Sequence, residues 1–362
     1  MKRKRLLGSL FGLLLLSACL WLAWQANTFL TSAPETPGKQ VLFDVLPGAR
    51  LAQVAAALEH KGCVTSASKF RWLAHWKQCE NRLQAGRFAL NTGWTPDRVL
   101  HELVNGRPVL FRVTVPEGLT WWQTARLLEN AGFVHFEDFS QIVMDPDFLR
   151  HYGIPFASAE GFLMPDTYLL PKKDVVDASQ ARAVAGRMVD NFWNRAASLW
   201  PDGKVPGRDA LRTCTILASI VEKETAVDAE RARVAGVYRN RLDRGMLLQA
   251  DPTVIYGLGE NFDGNLRRSH LDDGKNPYNT YQRSGLPPGP ICSFGTAALS
   301  AALHPEAHKY LYFVAKVDGG EHVFSTNIEE HNRAVRRYLQ NRRQWKNGQK
   351  TSQPSDLPAR VK

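Results

Sequence analysis

Two neighbouring acidic residues in one helical segment are the strongest sign of chemistry in this sequence. The segment Ala210–Thr225 has apolar residues at helical spacing, and Leu217 and Val221 share a face when each residue advances by about 100°. On that count Glu224 falls in the middle of the apolar stripe, whereas Glu222 points away from it. The pattern therefore predicts that only Glu224 of the pair faces the protein interior.

A carboxyl group on a buried helix face has an unusual acid strength. Loss of hydration penalises the carboxylate, so the pKa of Glu224 should rise and the group should keep its proton near neutral pH. A protonated carboxyl is the group that general acid catalysis requires. The alternative is that Glu224, at the end of its helix, is simply exposed to solvent, as most glutamates are.

Polar and aromatic side chains cluster in the loop-rich segments that follow this helix. The strings 249–257, 277–285, 326–327 and 331–332 combine tyrosine, threonine, asparagine and histidine. Tyrosine rings can stack on a pyranose face, while amides bond sugar hydroxyl and acetamido groups. The same residues are typical of turns, and for any single cluster that is the better explanation.

Metal and cofactor chemistry has a weaker signal. His322 and His331 could ligate a metal, but no third ligand stands at a recognisable spacing. The sequence contains neither a glycine-rich phosphate loop nor a Gly-x-Ser-x-Gly string. We therefore expect no metal and no cofactor.

The hydropathy pattern predicts an α+β chain whose first folded unit is small. The strings Val45–Gly48 and Val115–Gly118 each lead into a helix of apolar periodicity that ends at a glycine. With a strand at Gly86–Leu90, the first copy forms a β-α-α-β unit similar to glycan-binding LysM modules, although a generic α+β spacer fits equally well. Cys63 and Cys79 of this unit could pair in an oxidising compartment or remain free, and their spacing does not decide.

The larger unit that follows should be mainly helical. The helical pattern extends from about 137 to 244 and gives way to loops over 247–290. The segments 310–315 and 322–325 predict a short antiparallel sheet, and a last helix is expected over 327–343.

The N-terminus predicts a single transmembrane helix. Leu6–Trp24 is an uncharged apolar run, close to the roughly 20 residues that a helix needs to cross the hydrocarbon layer. The basic string Lys2–Arg5 precedes it, so the positive-inside rule leaves the N-terminus in the cytoplasm. The alternatives are a cleaved signal peptide and, because Leu16–Cys19 resembles a lipobox, a lipoprotein lipidated at Cys19. We expect an uncleaved anchor followed by an exported domain.

The net charge of +11, from 46 Lys and Arg against 35 Asp and Glu, is concentrated in the tails. A basic chain of this kind would fit nucleic acid, a membrane surface or an acidic polymer. Most of the excess lies in Lys2–Arg5 and in the segment from Asn341 onward, so the body between them is nearly neutral. We therefore expect no nucleic-acid partner.

Six strings, in order along the chain, resemble the YceG-like family of endolytic murein transglycosylases. These strings are 160–168, 218–225, 248–257, 278–281, 285–291 and 331–332. The resemblance implies that the second acid of the string Glu222–Thr225, which is Glu224, is catalytic, in agreement with the helical-face argument. The acidic pair Glu329–Glu330 does not match the family pattern.

The resemblance also implies the reaction and the location. The enzyme would be a lyase that cleaves the β-1,4 bond between N-acetylmuramic acid and N-acetylglucosamine in nascent peptidoglycan, leaving 1,6-anhydromuramic ends and terminating strand elongation. Glu224 would protonate the glycosidic oxygen and then accept the proton of the sugar's own 6-hydroxyl. The implied location is the inner membrane, single-pass, with a periplasmic catalytic domain. Glycan strands, the membrane and peptidoglycan synthases are the implied partners.

The expected domains are a basic stub and anchor (1–25), a linker (26–40), a LysM-like subdomain (41–112), a catalytic domain (113–343) and a disordered basic tail (344–362). The expected substrate-binding residues are Glu160, Asp166, Gln249, Asp251, Thr253, Tyr278, Asn279, Thr280, Tyr281, Asn327, His331 and Asn332. Two other functions stay open: a glycan hydrolase with Asp251 or Glu160 as its second carboxylate, and a non-enzymatic glycan-binding scaffold.

Overall fold

The computed structural model describes residues 16–17, 20–46, 48–172, 176–200, 203–316 and 321–351. The described chain forms two compact units, one reaching to Arg112 and including Leu169–Val176, the other formed by Val113–Tyr168 and the chain from Asp177 onward. Most of the predicted span, including Cys19, lies outside the described residues. Within the described part of the chain, no helix has both the length and the apolar character needed to cross a membrane.

The first unit has the β-α-α-β order that the sequence pattern predicted. Its elements are α1 (20–31), β1 (Gln40–Val45), α2 (Leu51–His60), α3 (Ala67–Trp76), β2 (Gly86–Asn91) and α4 (Pro96–Asn105). β1 and β2 are antiparallel, with Gln40 opposite Asn91. Phe43, Phe70 and Phe88 are fully buried between the sheet and the helices, and this apolar core holds the unit together.

Both cysteines of this unit are free thiols in the structure. Cys63 is buried in the core, and Cys79 is partly buried against it. Burial raises the pKa of the Cys63 thiol, which keeps it protonated and unreactive.

The second unit is built mainly from helices, as expected. Its helices are α5 (Trp121–Asn130), α6 (Phe136–Val143), α7 (Pro146–His151), α8 (Ala178–Ala196), α9 (Arg208–Glu224), α10 (Arg231–Asp243), α11 (Asp251–Leu258), α12 (Arg268–Leu271), α13 (Thr296–Leu303) and α14 (Ile328–Thr351). α9 is central, because α10, α11 and α13 all pack against it. Every residue from Cys214 to Val221 is buried, so this part of α9 is enclosed on all sides.

Two short sheets complete the fold, and one of them was not predicted. β5 (Tyr312–Ala315) and β6 (His322–Ser325) form the expected antiparallel pair. β3 (Phe111–Val115) pairs with β4 (Asp166–Leu170), which interrupts the region predicted to be helical. The segment of β4 is too short for a stable helix, and its buried tyrosine and leucine alternate with exposed residues, as in a strand with one buried face.

The last helix is longer than the sequence pattern indicated. α14 ends at Thr351 rather than at 343, so it extends into the segment expected to be disordered, and residues 352–362 lie outside the described part of the chain. The lysines and glutamines of 344–351 are good helix formers, and the first proline beyond α14 is Pro354.

Candidate active site

Glu224 is the last residue of α9 and lies in the wall of a cavity of about 340 Å³. The side chains that line this cavity are Glu224, Tyr238, Arg241, Leu248, Gln249, Asp251, Tyr281, Tyr312, Phe313, Ile328 and His331. They come from the end of α9, one face of α10, the start of α11, the loops before α11 and after α12, the hairpin strand β5 and the start of α14. We call this hollow the catalytic cavity.

The surroundings of Glu224 adjust its acid strength. Burial and, to a lesser extent, the negative charge of Asp251 raise the pKa of its carboxyl from 4.5 to about 7. The Tyr238 hydroxyl, which donates to Glu224 Oε1 over 2.9 Å, and the positive charge of Arg241 act in the opposite direction. The carboxyl can therefore hold or release its proton near neutral pH, as an acid–base catalyst must.

Tyr238 and Arg241 are three residues apart on α10 and so share one helix face. The Arg241 guanidinium is almost fully buried and donates to the carbonyl oxygens of Leu311 and Leu248, both at 2.7 Å. These bonds connect α10 to the start of β5 and to the loop before α11. Arg241 thus holds together two walls of the catalytic cavity.

A second carboxylate faces the same cavity. Asp251 begins α11 and accepts a hydrogen bond from the Tyr281 hydroxyl at 2.6 Å. The preceding Gln249 has a φ of 50°, an uncommon left-handed conformation, and its N–H donates to the Thr280 carbonyl at 3.1 Å. This backbone turn sends the chain from the loop into α11 and brings both side chains to the cavity wall.

His331 contributes a polar ring with free bonding capacity. Its ring stacks on Tyr312 with 5.2 Å between centroids, and its buried Nδ1 atom has no hydrogen-bond partner. Burial lowers the pKa of His331, so the imidazole is neutral at pH 7. A neutral ring at this place can donate to or accept from a sugar hydroxyl.

Glu222 lies outside the cavity, on the other side of α9. Its Oε2 accepts from the Gly295 N–H over 3.1 Å, at the start of α13. The helical-face count placed Glu222 away from Glu224 but did not anticipate its partial burial, which raises the pKa of Glu222 as well. The difference arises because α13 covers this side of α9.

Four of the twelve predicted binding residues line the catalytic cavity with Glu224. They are Gln249, Asp251, Tyr281 and His331. The structure does not bring the other eight to its wall: Glu160, Asp166, Thr253, Tyr278, Asn279, Thr280, Asn327 and Asn332.

Three of these eight are buried, Thr253 in α11 and Asn279 and Thr280 in the loop that supports it. The hydroxyl oxygens of Thr253 and Thr280 are 2.9 Å apart, and Thr280 Oγ1 accepts from the Ala250 N–H at 3.0 Å. Asn279 donates through its amide to the carbonyls of three residues between 270 and 273. These short polar side chains fix the loop that carries Tyr281.

The remaining outlying residues lie at separate places. Asp166 accepts from the Arg195 guanidinium at 2.7 Å, and Tyr278 packs on Tyr256 with ring centroids 4.7 Å apart. Asn327 precedes α14 and accepts from the Glu330 N–H at 2.9 Å, while Asn332 is exposed on that helix.

Glu160 is a buried carboxyl outside the catalytic cavity, only 1% exposed. Its Oε2 accepts from the Trp121 N–H at 3.0 Å, at the start of α5. Burial raises the pKa of Glu160 from 4.5 to about 8, and the bonds from Trp121 and Tyr256 reduce that rise. The group is therefore neutral at pH 7, and it connects the start of α5 to Tyr256 of α11.

Glu160→Gln tests this assignment, since glutamine mimics the protonated acid. A carboxyl whose folded-state pKa is raised stabilises the fold fully below pH 4.5 and loses that contribution as the pH rises through about 8. We expect the melting temperature of the wild type to fall between pH 5 and pH 9 more steeply than that of Glu160→Gln, measured by circular dichroism. Activity at pH 7 should change by less than about threefold, because the protonation state is kept. Equal slopes for the two proteins would contradict a buried neutral Glu160.

The pH dependence of activity should follow the Glu224 carboxyl. Because a general acid must be protonated, kcat/KM is expected to fall above a pH of about 7. Tyr238→Phe removes a hydrogen bond that lowers this pKa, so the fall in kcat/KM should move to higher pH. Asp251→Asn removes a negative charge that raises the pKa, so the fall should move to lower pH. Rate profiles of the three proteins measure both shifts. Shifts in the same direction would contradict the assignment.

Most of the cavity's other wall has no recognisable signal in the sequence. Tyr238, Arg241, Tyr312 and Phe313 were not singled out. The spacing of Tyr238 and Arg241 shows only that they share a face, and no pattern indicates that this face meets Glu224. Their role depends on how α10 packs on α9, which is a tertiary contact.

Comparison with known proteins assigns the chain to a family. The model of the YceG-like family matches residues 43–337. An endolytic murein transglycosylase of Bacillus subtilis (strain 168) is 30% identical over 317 residues, 83% of this chain and 85% of that protein. An endolytic murein transglycosylase of Streptococcus pneumoniae (strain R6) is 28% identical over 332 residues, 83% of this chain and 59% of that protein.

A solved structure agrees with this assignment. The crystal structure of a yceG-like protein from Listeria monocytogenes superposes with a TM-score of 0.53 at 29% identity, covering 82% of this chain and 99% of that one. The resemblance seen in the sequence motifs is thereby confirmed. On the family match and on these relatives, the chain belongs to the YceG-like family.

Proposed function

We propose that this protein is a lytic transglycosylase that cleaves peptidoglycan glycan strands and that Glu224 is its catalytic residue. The observation that carries the proposal is the environment of Glu224: a carboxyl in a cavity wall, with a pKa of about 7 and a hydrogen bond from Tyr238. The names of the relatives point to the same substrate, murein.

Cleavage between N-acetylmuramic acid and N-acetylglucosamine uses two proton transfers, one as the bond breaks and one as the anhydro ring closes. The protonated Glu224 gives its proton to the glycosidic oxygen as that bond breaks, and positive charge develops on the muramic ring. The carboxylate of Asp251 in the same cavity stabilises this charge. Glu224, now a carboxylate, accepts the proton of the 6-hydroxyl, whose oxygen closes the 1,6-anhydro ring. The enzyme returns to its starting protonation state without consuming water.

One oxygen of Glu224 is suited to carry the proton. Oε1 accepts from Tyr238, and the pKa of that tyrosine is raised far above its usual value, so its hydroxyl remains a donor. The transferable proton therefore belongs on Oε2, the oxygen that does not accept from Tyr238. Gln249, Tyr281 and His331 supply further polar groups for the sugar hydroxyl and acetamido groups.

The proposed location is the inner membrane, with the catalytic unit in the periplasm. The apolar run Leu6–Trp24 and the basic string before it support an anchor with a cytoplasmic N-terminus. In the described part of this region, Leu20, Trp21 and Trp24 are about 60% exposed, which suits contact with lipid. The β-α-α-β unit would act as a LysM-like glycan-binding subdomain, peptidoglycan synthases would be partners, and cleavage would end strand elongation.

End-group analysis of the products tests the proposal. The full-length protein, purified in detergent, is incubated with purified peptidoglycan, and the new strand ends are identified by mass spectrometry. We expect 1,6-anhydromuramic ends that are absent with Glu224→Gln. Absence of any product from the folded wild-type protein would leave a glycan-binding scaffold and refute the proposal.

A hydrolase is the second candidate, and one observation favours it. Asp251 lies in the same cavity as Glu224, so two carboxyl groups are present, as in most glycoside hydrolases. Glu160, the other carboxyl considered for this role, is buried outside the cavity. Hydrolysis would give reducing muramic ends instead of anhydro ends in the same experiment.

A further inference from the structure

A second hollow lies beside the catalytic cavity, and the end of α9 and the start of α11 separate the two. It has a volume of about 370 Å³ and is formed mainly by residues of α5 and α11, with Lys223 of α9. We call it the α5–α11 groove. Lys223 lines the groove while the next residue, Glu224, lines the cavity, and Pro252 lines the groove while Asp251 lines the cavity. Two pairs of consecutive residues therefore form a thin ridge with one hollow on each side.

The groove has the surface of a sugar site. Trp122 and Tyr256 line it, with ring centroids 5.0 Å apart, and Phe262 lies further along the wall. Trp122 and Tyr256 are only partly buried, so part of each ring is open to the groove. Flat aromatic surfaces of this kind stack on the apolar face of a pyranose.

The wall of the groove is held in place from behind. The Trp121 N–H donates to the buried Glu160 carboxyl at 3.0 Å, and Tyr256 also packs on Tyr278, with centroids 4.7 Å apart. A wall fixed in this way loses little conformational entropy when a ligand binds.

The groove also contains one exposed cation. The Lys223 ammonium donates to the Gly118 carbonyl at 3.1 Å and, within the described residues, forms no ion pair. The acid that lines the groove, Glu260, is exposed and is not paired with it. An ammonium that bonds only a carbonyl keeps donors available for an anionic ligand.

From these contacts we infer that the α5–α11 groove binds the sugar next to the cleaved bond, with Trp122 under the ring and Lys223 on a carboxylate that the strand carries. The inference rests on the proposed function, because it takes a glycan strand as the substrate. Continuity across the ridge argues for one polymer occupying both hollows. The carboxylate has two sources: the stem peptide of an intact strand, or the lactyl group of a strand without peptides.

Binding to an inactive protein tests the groove separately from cleavage. In the full-length protein carrying Glu224→Gln, we add Lys223→Met or Trp122→Ala and measure the affinity for peptide-bearing strands, peptide-free strands and chitin oligomers, which carry no carboxylate. Lys223→Met should weaken binding of the carboxylate-bearing strands about fivefold and leave chitin binding unchanged. Loss on only one type of strand identifies the source of the carboxylate. Trp122→Ala should lower the affinity for all three ligands about tenfold.

Matched variants exclude a merely structural effect. Lys204→Met, at an exposed lysine that lines neither hollow, should not weaken binding. Trp122→Phe should recover most of the affinity, which a folding defect at this site would not predict. In the active protein, Lys223→Met should raise KM about fivefold with little change in kcat. Equal affinities for Lys223→Met and Lys204→Met, with Trp122→Ala as tight as the parent, would overturn the inference while leaving the cleavage proposal intact.

Discussion

Replacement of Glu224 by glutamine is expected to lower kcat/KM for glycan cleavage by about 10²- to 10⁴-fold. Glutamine has nearly the same shape and can still accept the Tyr238 hydrogen bond, but it has no proton to give to the glycosidic oxygen. The affinity for glycan strands should change little, because the cavity keeps its shape. Initial rates of fragment release, together with binding to the inactive protein, measure both quantities.

Glu222→Gln is the matched control, two residues away on the same helix. This side chain bonds the Gly295 N–H and does not line the cavity, so activity should stay within about threefold of wild type. Equal losses in the two variants, with both proteins folded, would contradict the separation of roles. So would a Glu224→Gln protein that keeps more than about one tenth of the activity.

Loss of Arg241 should have the largest effect on stability among the cavity residues. Arg241→Ala leaves the carbonyls of Leu311 and Leu248 without their partner in a buried environment. Charge-assisted bonds of this kind each contribute about 1.5–3 kcal/mol, so we expect the loss of two to lower the free energy of unfolding by about 3–6 kcal/mol. Activity should fall as well, because Arg241 no longer connects the start of β5 to the loop before α11, which form two walls of the catalytic cavity. Urea unfolding followed by fluorescence measures the change.

The control for Arg241 lies on the same helix. Arg239 is exposed and pairs with Asp243, one turn further on, so Arg239→Ala should change stability by less than about 0.5 kcal/mol. If Arg241→Ala and Arg239→Ala are equally stable, Arg241 does not hold the cavity walls together.

The sequence was sufficient to predict the different placements of Glu224 and Glu222, because that information is local. An angle of about 100° per residue decides which of two nearby acids shares a face with the apolar residues. The β-α-α-β order and the final hairpin were also predictable, since strand and helix periods differ over short stretches. The strand β4 was missed because five residues inside a helical region carry too little periodicity to be recognised.

The rest of the site depends on contacts between distant parts of the chain. Asn279 and Tyr281 have similar chemistry in the sequence, yet Asn279 is fully buried against backbone carbonyls while Tyr281 faces the cavity. Only the path of the loop separates these outcomes. Arg241 in turn contacts carbonyls 70 and seven residues away, and no local pattern specifies such partners.

In the proposed reaction the sugar's own 6-hydroxyl, and not water, attacks the anomeric carbon of the muramic sugar. The most direct measurement is digestion of purified peptidoglycan by the full-length protein in water labelled with heavy oxygen, followed by mass spectrometry of the new muramic ends. We expect anhydro ends with no heavy oxygen, formed by the wild type and not by Glu224→Gln. Reducing ends that carry one heavy oxygen atom would contradict this reaction and would assign Asp251 to a hydrolytic mechanism.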